Sequence, residues 1–406
     1  MKKVLLLLKN NRKYLEDIIL NILANAVPLI VLQLIVLPRV NAHVGEEAYG
    51  LVVTLVSVLT FVTSTSAGSL NNVRLLLDSK YQEENVQGDF NIIQLFFSIM
   101  NALLVVTISL FYTKEWTAEV IVLLMVATIL ICSEGYYSVG FRLQLNYRRI
   151  FIQKIFLAVG YILGYYLFVK TGQWILIYIM GYFLDLIYVL LKTDLAKEPW
   201  RRTKLFKLSV KNESVLIVAA LIGGLSSYID RLFIYPIYGG LITTTYYVST
   251  LLGKGISLAT FPISGVLLSY FSKKKKLADG TVKMMNKFSW IAGIIGYIAC
   301  IIISRPLLGR LYPAIVDDAM KYVPVTLFSA VINVQNTMMS PVVLKYSKIT
   351  RQIWISLINV AGYVAISVIL MQIWGLMGFC VGGVVTGLMK YFIYLYFYNK
   401  DRNISV

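Results

Sequence analysis

The chain has 406 residues, of which 58% are hydrophobic and only 14% are charged, with a formal net charge of +18. A soluble domain carries about 25% charged residues, so this composition excludes an ordinary soluble enzyme and predicts one integral membrane protein. The three cysteines and the single histidine, His43, are too widely spaced for a metal site or a disulfide framework. We therefore expect no metal and no cofactor.

Twelve apolar windows follow one another along the chain, each long enough to cross about 30 Å of hydrocarbon. Backbone groups in hydrocarbon must pair internally, so we predict an all-α membrane protein. A tight turn at Ile373-Trp374-Gly375 separates the last two windows, and the Gly160 and Gly164 pair predicts close helix packing. The predicted helices are 18–40, 49–70, 90–112, 117–140, 150–169, 173–191, 214–238, 244–271, 288–308, 323–344, 352–373 and 375–398.

Basic residues cluster in alternate loops between these windows. One side of the membrane then holds 28 Lys and Arg residues, whereas the other side holds six. The positive-inside rule places the richer side, and with it both termini, in the cytoplasm. This clustering explains the net charge without nucleic acid, and it makes anionic lipids the expected partners of basic loops such as Lys273–Lys276.

The richest basic segment lies between the sixth and seventh windows. It divides the chain into a predicted N-terminal six-helix lobe (1–191), a basic cytoplasmic linker (192–213) and a C-terminal six-helix lobe (214–406). Two halves with even numbers of spans share one orientation, which favours a parallel repeat about an axis along the membrane normal.

Three charged residues, Asp230, Arg231 and Lys254, lie deep in the seventh and eighth windows. A charge at bilayer depth costs at least ~2.5 kcal/mol on insertion scales, so it commonly marks a polar cavity or pathway. One interpretation is a buried ion pair that fixes the helix register. The other is a cationic patch that receives an anionic substrate, with Asp230 tuning the patch or carrying a coupling proton or ion.

A second polar layer is predicted near the cytoplasmic ends of three windows, formed by Glu134, Lys154 and Asp185. Lys snorkels and carboxylates reach water near a span end, so a structural or interfacial role fits these residues better than a substrate role. The sequence contains no nucleophile–base pair, metal-ligand cluster or phosphate-binding glycine loop. We therefore predict that the protein is not an enzyme, and that H⁺ or Na⁺ coupling, the substrate gradient or downstream consumption supplies the driving force.

Two sequence blocks resemble the polysaccharide flippases of the multidrug/oligosaccharidyl-lipid/polysaccharide (MOP) exporter superfamily. The first block runs from Pro38 through Gly45 to Tyr49-Gly50. The second is Ser-Tyr-Ile-Asp230-Arg-Leu, and it is followed by Tyr246-Tyr247, Gly253-Lys254, Pro262 and Leu268-Ser269-Tyr270. The hydropathy plan is similar over nearly the full length.

The resemblance implies a MATE-like fold, in which two six-helix lobes surround a central cavity that opens alternately to each face. It implies a flippase of the bacterial cytoplasmic membrane that moves undecaprenyl-pyrophosphate-linked oligosaccharide to the outer leaflet for cell-surface polysaccharide synthesis. Polysaccharide assembly proteins would be further partners. On this pattern Arg39, Arg231 and Lys254 are the candidates for contact with the substrate headgroup.

Two other functions stay open on the sequence. A multidrug or organic-cation exporter of the same superfamily would favour an acidic cavity, whereas this membrane interior carries Lys and Arg beside its few carboxylates. A membrane glycan polymerase or acyltransferase would need exposed catalytic residues, commonly on external loops larger than those of this chain.

Overall fold

The computed structural model describes residues 12–113, 117–144, 146–225, 228–272, 280–346 and 349–401, and the basic run Lys273–Lys276 lies outside them. Regular structure within the described residues is entirely helical. The α-helices are α1 Arg12–Ile30, α2 Leu37–Val44, α3 Glu46–Glu83, α4 Asp89–Ser109, α5 Ala118–Tyr137, α6 Val139–Leu143, α7 Tyr147–Thr171, α8 Ile175–Lys192, α9 Phe206–Leu225, α10 Ile229–Ser272, α11 Thr281–Leu311, α12 Val316–Tyr346 and α13 Ile349–Asp401. A π-helical segment at Val31–Val36 and a 3-10 turn at Leu195–Lys197 complete the set.

Eight helical stretches in the described part of the chain are long and apolar enough to cross a membrane. The last of them, Trp354–Lys400, covers most of two predicted windows. Within it the backbone leaves the helical conformation at Trp374 (φ −122°) and Gly375 (φ 58°), which confirms the predicted turn. Glycine adopts such a positive φ without steric cost. The other seven stretches are Ile19–Val44, Glu46–Asp78, Asp89–Ser109, Ala118–Leu143, Tyr147–Thr171, Ile175–Lys192 and Thr281–Leu311.

The seventh predicted window, 214–238, is divided between two helices in the structure. α9 ends at Leu225 and α10 begins at Ile229. α10 then continues past Gly239, where φ is 77° and ψ is −173°, into the eighth predicted window. Hydropathy averages over many residues, so it does not register single positions at which the backbone leaves helical geometry.

The first membrane-crossing stretch contains an irregular section after a proline. Pro28 lies inside α1, and the chain continues from α1 as the π-helical segment Val31–Val36. A proline lacks the N–H donor and clashes with the carbonyl four residues before it, so Pro38, which lies two residues past the end of this segment, interrupts regular α-helical bonding within Val31–Val36. α2 follows with Pro38 in its first turn and ends at Val44, and the next residue, Gly45, caps it with a φ of 83°.

Glycines bring the backbones of α7 and α8 close together, as the sequence predicts. A Cβ atom added at Gly160 would lie 2.5 Å from the Met180 carbonyl oxygen and 2.6 Å from the Gly181 Cα. A Cβ added at Gly164 would lie 2.6 Å from the Ile177 Cα. These distances are shorter than ordinary van der Waals contact, so the observed approach of the two helices requires glycine at both positions.

Packing divides the chain into two units, Met1–Gly224 and Leu225–Val406. In the first unit α5 packs against α3, α4 and α8, and α7 packs against α1 and α8. In the second unit α12 packs against α10, α11 and α13. The organisation into six-helix lobes at 1–191 and 214–406 stays a prediction.

The basic segment after α8 is tied to the first unit by buried polar contacts. Arg74 of α3 donates two hydrogen bonds to Glu198, at 2.7 and 3.3 Å. Asp89 of α4 accepts hydrogen bonds from the Thr203 backbone N–H and the Tyr81 hydroxyl, both at 2.6 Å. Burial, followed by the hydrogen bond to Asp89, raises the pKa of Tyr81 above its usual range, so this phenol stays a donor. Because these groups are buried and paired, they hold the segment in one position.

Candidate functional site

The buried charges of the second unit lie on α10. Asp230 and Arg231 occupy the first turn of this helix and are each 7% exposed. Lys254 lies on the other side of the break at Gly239, and its Nζ atom is buried. Burying a cation is costly unless another group compensates for the lost water, so the neighbours of Arg231 and Lys254 decide what this site does.

Tyr247 contacts both cations. The Arg231 Cζ atom lies 4.8 Å from the centroid of the Tyr247 ring, and the Lys254 Nζ atom lies 5.4 Å from it. A desolvated cation within about 6 Å of an aromatic ring gains about 2 kcal/mol from the ring quadrupole. Tyr247 is itself 2% exposed, so one buried ring stabilises two buried positive charges.

Asp230 is directed to the backbone of its own helix. Its Oδ1 atom accepts a hydrogen bond from the Arg231 backbone N–H at 2.9 Å, and the positive end of a helix favours a carboxylate at this position. Within the described residues, no carboxylate forms an ion pair with Lys254, whose Nζ atom has no hydrogen-bond acceptor there. The site thus combines two cations with one carboxylate, and the coupling role of Asp230 stays a prediction.

An aromatic cluster adjoins the cations through Tyr246. Phe379 of α13 makes edge-to-face contacts with Tyr246 and Tyr363, with ring centroids 5.8 and 5.7 Å apart. Tyr246 precedes Tyr247 in α10, so the aromatic cluster adjoins the ring that contacts both cations. The sequence signals only the Tyr246-Tyr247 pair, because Tyr363 and Phe379 lie more than a hundred residues further along the chain.

Arg39, the third residue predicted to contact the headgroup, lies in α2 of the first unit and is exposed. Arg231 and Lys254 belong to the second unit. The grouping of Arg39 with these two residues therefore stays a prediction.

The other predicted polar layer forms a single cluster inside the first unit. Lys154 of α7 bonds to Glu134 of α5 at 2.9 Å and to Asp185 of α8 at 3.1 Å. The Gln153 amide donates to the same Glu134 oxygen. Glu134 is 5% exposed, and Asp185 and Gln153 are 0% exposed, so the carboxylates are buried within the unit rather than turned to its surface. Sequence reasoning missed Gln153, since a single amide beside a lysine carries no periodic signal.

No protein-family model matches the chain, and no curated protein matches its sequence. Solved structures, in contrast, match it over nearly its whole length. An inward-facing multidrug resistance MATE family transporter of the MOP superfamily aligns with a TM-score of 0.71 and 13% identity, covering 95% of this chain and 100% of that chain. The Vibrio cholerae MATE transporter VcmN, in its bent form, aligns with a TM-score of 0.66 and 12% identity, covering 100% of this chain and 99% of that chain.

The lipid II flippase MurJ, in an inward closed conformation, aligns with a TM-score of 0.67 and 13% identity, covering 94% of this chain and 86% of that chain. The chain has a MATE-like fold. The prediction of an all-α, multi-pass membrane protein with about 12 helices in this fold is therefore confirmed. The solved structures that share the fold are transporters rather than enzymes.

Proposed function

We propose that the protein is a flippase that moves undecaprenyl-pyrophosphate-linked oligosaccharide across the cytoplasmic membrane by alternating access, for the synthesis of a cell-surface polysaccharide. The observation that carries the proposal is the pair of cations on Tyr247, formed by Arg231 and Lys254. A pyrophosphate presents several anionic acceptor oxygens. The planar fork of an arginine and the ammonium of a lysine both donate to such oxygens.

The unpartnered ammonium of Lys254 supports an anionic ligand at this site. Its Nζ atom is buried and lacks a hydrogen-bond acceptor among the described residues. A buried donor left without an acceptor costs about 1–3 kcal/mol, and more when it is charged. A phosphate oxygen would supply both the missing acceptor and a compensating charge, so ligand binding would relieve this cost.

The proposed reaction also needs a polar route for the sugar headgroup. A polar group moved into apolar surroundings without a hydrogen bond costs roughly 2–7 kcal/mol, so a headgroup with many hydroxyls does not cross hydrocarbon unaided. A fold shared with a lipid II flippase is consistent with transport of a lipid-linked headgroup.

A multidrug exporter is the second candidate, because two solved structures with this fold are multidrug resistance MATE family transporters. The aromatic cluster of Tyr246, Tyr363 and Phe379 would suit an organic cation, since aromatic rings attract positive charge. The two cations on Tyr247 disfavour the multidrug exporter, because they would repel an organic cation. The charge of the site therefore favours an anionic headgroup over a cationic substrate.

Transport in proteoliposomes tests the proposal. With a fluorescent lipid-linked oligosaccharide, we expect Lys254→Gln to slow flipping about tenfold or more, because a charge-assisted hydrogen bond contributes about 1.5–3 kcal/mol. Lys254→Arg should retain most of the activity. Lys390→Gln is a matched control, because Lys390 is a partly buried lysine of the same unit with its Nζ atom 5.9 Å from the Tyr394 ring centroid.

Two results would contradict the flippase proposal. One is an unchanged flipping rate in correctly inserted Lys254→Gln protein, or a loss no larger than that of Lys390→Gln. The other is efflux of a cationic dye by the wild-type protein without any flipping of the lipid-linked oligosaccharide, which would favour the multidrug exporter.

A further inference from the structure

The chain between α8 and the first turn of α9 carries three exposed cations, Arg201, Arg202 and Lys207. The Arg201 Nε atom donates to the Gln87 backbone carbonyl at 3.1 Å, and the Arg202 Cζ atom lies 5.0 Å from the centroid of the Phe206 ring. Within the described residues, none of the three forms an ion pair with a carboxylate. Each cation therefore keeps its positive charge available for an anion.

A large aromatic side chain lies beside these cations. Trp200 is 56% exposed and directly precedes Arg201 in the sequence. An indole ring is amphipathic, and at a membrane surface its apolar body contacts acyl chains while its N–H reaches polar groups. Exposed aromatic rings next to Lys and Arg are typical of surfaces that lie on anionic lipid. We call Trp200, Arg201, Arg202 and Lys207 the linker patch.

Buried contacts of the same segment hold the linker patch in place. The Glu198 carboxylate, two residues before Trp200, accepts two hydrogen bonds from Arg74. The Thr203 backbone N–H, three residues after Trp200, donates to Asp89 at 2.6 Å. These two contacts flank the patch and fix the backbone between them. A surface that is already ordered loses less conformational freedom when it binds a partner.

The linker patch lies beside the ends of two membrane-crossing stretches. A Cβ atom added at Gly88 would lie 2.9 Å from the Arg201 Cγ atom, and Gly88 directly precedes the stretch Asp89–Ser109. The stretch Ile175–Lys192 ends eight residues before Trp200. Charge asymmetry predicts that both of these ends face the cytoplasm. Anionic lipids give the cytoplasmic leaflet a negative surface potential, which attracts basic residues at this level.

We propose that the linker patch binds anionic phospholipid headgroups at the cytoplasmic surface of the membrane, with Trp200 inserted at the boundary between headgroups and acyl chains. The two guanidinium groups can each donate two parallel hydrogen bonds to a lipid phosphate, and the Lys207 ammonium adds a third positive charge. An acidic partner protein is the alternative. The position of the patch beside two span ends favours lipid, because headgroups already occupy that level. This inference goes beyond the flippase proposal and does not depend on the substrate.

Quenching of tryptophan fluorescence by brominated lipids tests the proposal on the full-length protein in bilayers. The signal of Trp200 is the difference between each protein and the same protein with Trp200→Phe. We expect this signal to be half quenched at a lower mole fraction of brominated phosphatidylglycerol than of brominated phosphatidylcholine. Lys207→Gln should raise the mole fraction of phosphatidylglycerol needed by about fivefold, which is the contribution of one basic residue near an anionic surface. Arg202→Gln should have a similar effect.

Lys197→Gln is the matched control. Lys197 is an exposed lysine of the same segment, but its Nζ atom lies 2.7 Å from an Asp194 carboxylate oxygen, which already neutralises it. We expect this variant to shift the half-quenching mole fraction by less than twofold. A shift as large as that of Lys207→Gln would show that only the net charge of the protein matters, and it would overturn the assignment of a site to the linker patch.

Three further results would overturn the proposal. Trp200 could remain unquenched by either lipid, which would show that the patch faces water and is free for an acidic partner protein. The two lipids could quench Trp200 equally at every mole fraction, which would leave an interfacial anchor without a headgroup site. Soluble glycerol phosphate could relieve the quenching by phosphatidylglycerol, which would assign the patch to free phosphate compounds. Because no glycolipid is present in any measurement, failure here leaves the flippase proposal standing, and the reverse also holds.

Discussion

Tyr247 shows how one residue sets the character of the candidate site. The centroid of its ring lies 4.8 Å from the Arg231 Cζ atom and 5.4 Å from the Lys254 Nζ atom. A carboxylate in the same place would neutralise positive charge. A ring stabilises a cation through its quadrupole without adding a negative charge. Lys254, whose Nζ atom lacks a hydrogen-bond acceptor in the described part of the chain, therefore keeps its positive charge for an anion, which a buried Lys–Asp pair would not do.

Two ion pairs in one segment allow a direct comparison between a buried and an exposed contact. The Arg74–Glu198 pair has side chains 7% and 9% exposed, whereas the Lys197–Asp194 pair has side chains 76% and 84% exposed. Removing one partner of a buried pair leaves an uncompensated buried charge. Removing one partner of an exposed pair leaves a charge that water solvates.

We expect Glu198→Ala to lower the free energy of unfolding by about 3–5 kcal/mol. Lys197→Ala should cause no measurable loss. Thermal unfolding of the detergent-solubilised protein measures both, and protease sensitivity of the segment 193–205 gives a second readout. Equal stability of the two variants would show that the Arg74–Glu198 contact does not hold this segment.

The close packing of α7 against α8 depends on glycine residues at their contact. At Gly160 an added Cβ would meet the Met180 carbonyl oxygen and the Gly181 Cα, which are backbone atoms and cannot rotate away. At Gly68 in α3 an added Cβ would meet nothing within 4 Å. Replacing glycine by alanine should therefore destabilise the protein at Gly160 in α7 and stabilise it at Gly68 in α3.

We expect Gly160→Ala to destabilise the protein by about 1–3 kcal/mol through overpacking. Gly68→Ala should stabilise it by about 0.4–1 kcal/mol, because alanine loses less conformational entropy in a helix. The measurement is the unfolding temperature of each variant in the same detergent. A Gly160→Ala protein as stable as Gly68→Ala would mean that α7 and α8 do not approach as closely as described.

For the molecule as a whole, charge asymmetry predicts the orientation in the membrane. The 28 basic residues on one predicted side, against six on the other, place the loop between α7 and α8 outside the cell and the segment between α8 and α9 inside. Anionic lipids and the membrane potential both favour basic loops on the cytoplasmic side.

Cysteine labelling measures this orientation. In a variant without Cys132, Cys300 and Cys380, we expect a membrane-impermeant maleimide to label Gln173→Cys in intact cells. Lys204→Cys should react only after the cells are permeabilised. The opposite labelling pattern would invert the predicted topology and place both termini outside the cytoplasm.

Much of the architecture can be predicted from the sequence, because the thickness of the hydrocarbon core constrains each membrane-spanning segment separately. A span needs about 20 apolar residues, so most helices, the turn at Trp374-Gly375 and the glycine contact of α7 with α8 follow from short stretches of sequence. The division of the seventh window between α9 and α10 does not follow, because a hydropathy window averages over the break.

Hydropathy and charge along the chain are enough to establish a polytopic helical membrane protein and to locate the charged residues that lie at depth. Only the tertiary structure shows which side chains pair with those charges. Lys154 bonds to carboxylates 20 and 31 residues away, and Arg74 bonds to Glu198 at a separation of 124 residues. The physical reason is that a partner depends on the rotation of each helix about its axis and on the register between helices. Both are set by packing against other helices, and neither is encoded in the apolar character of a single span.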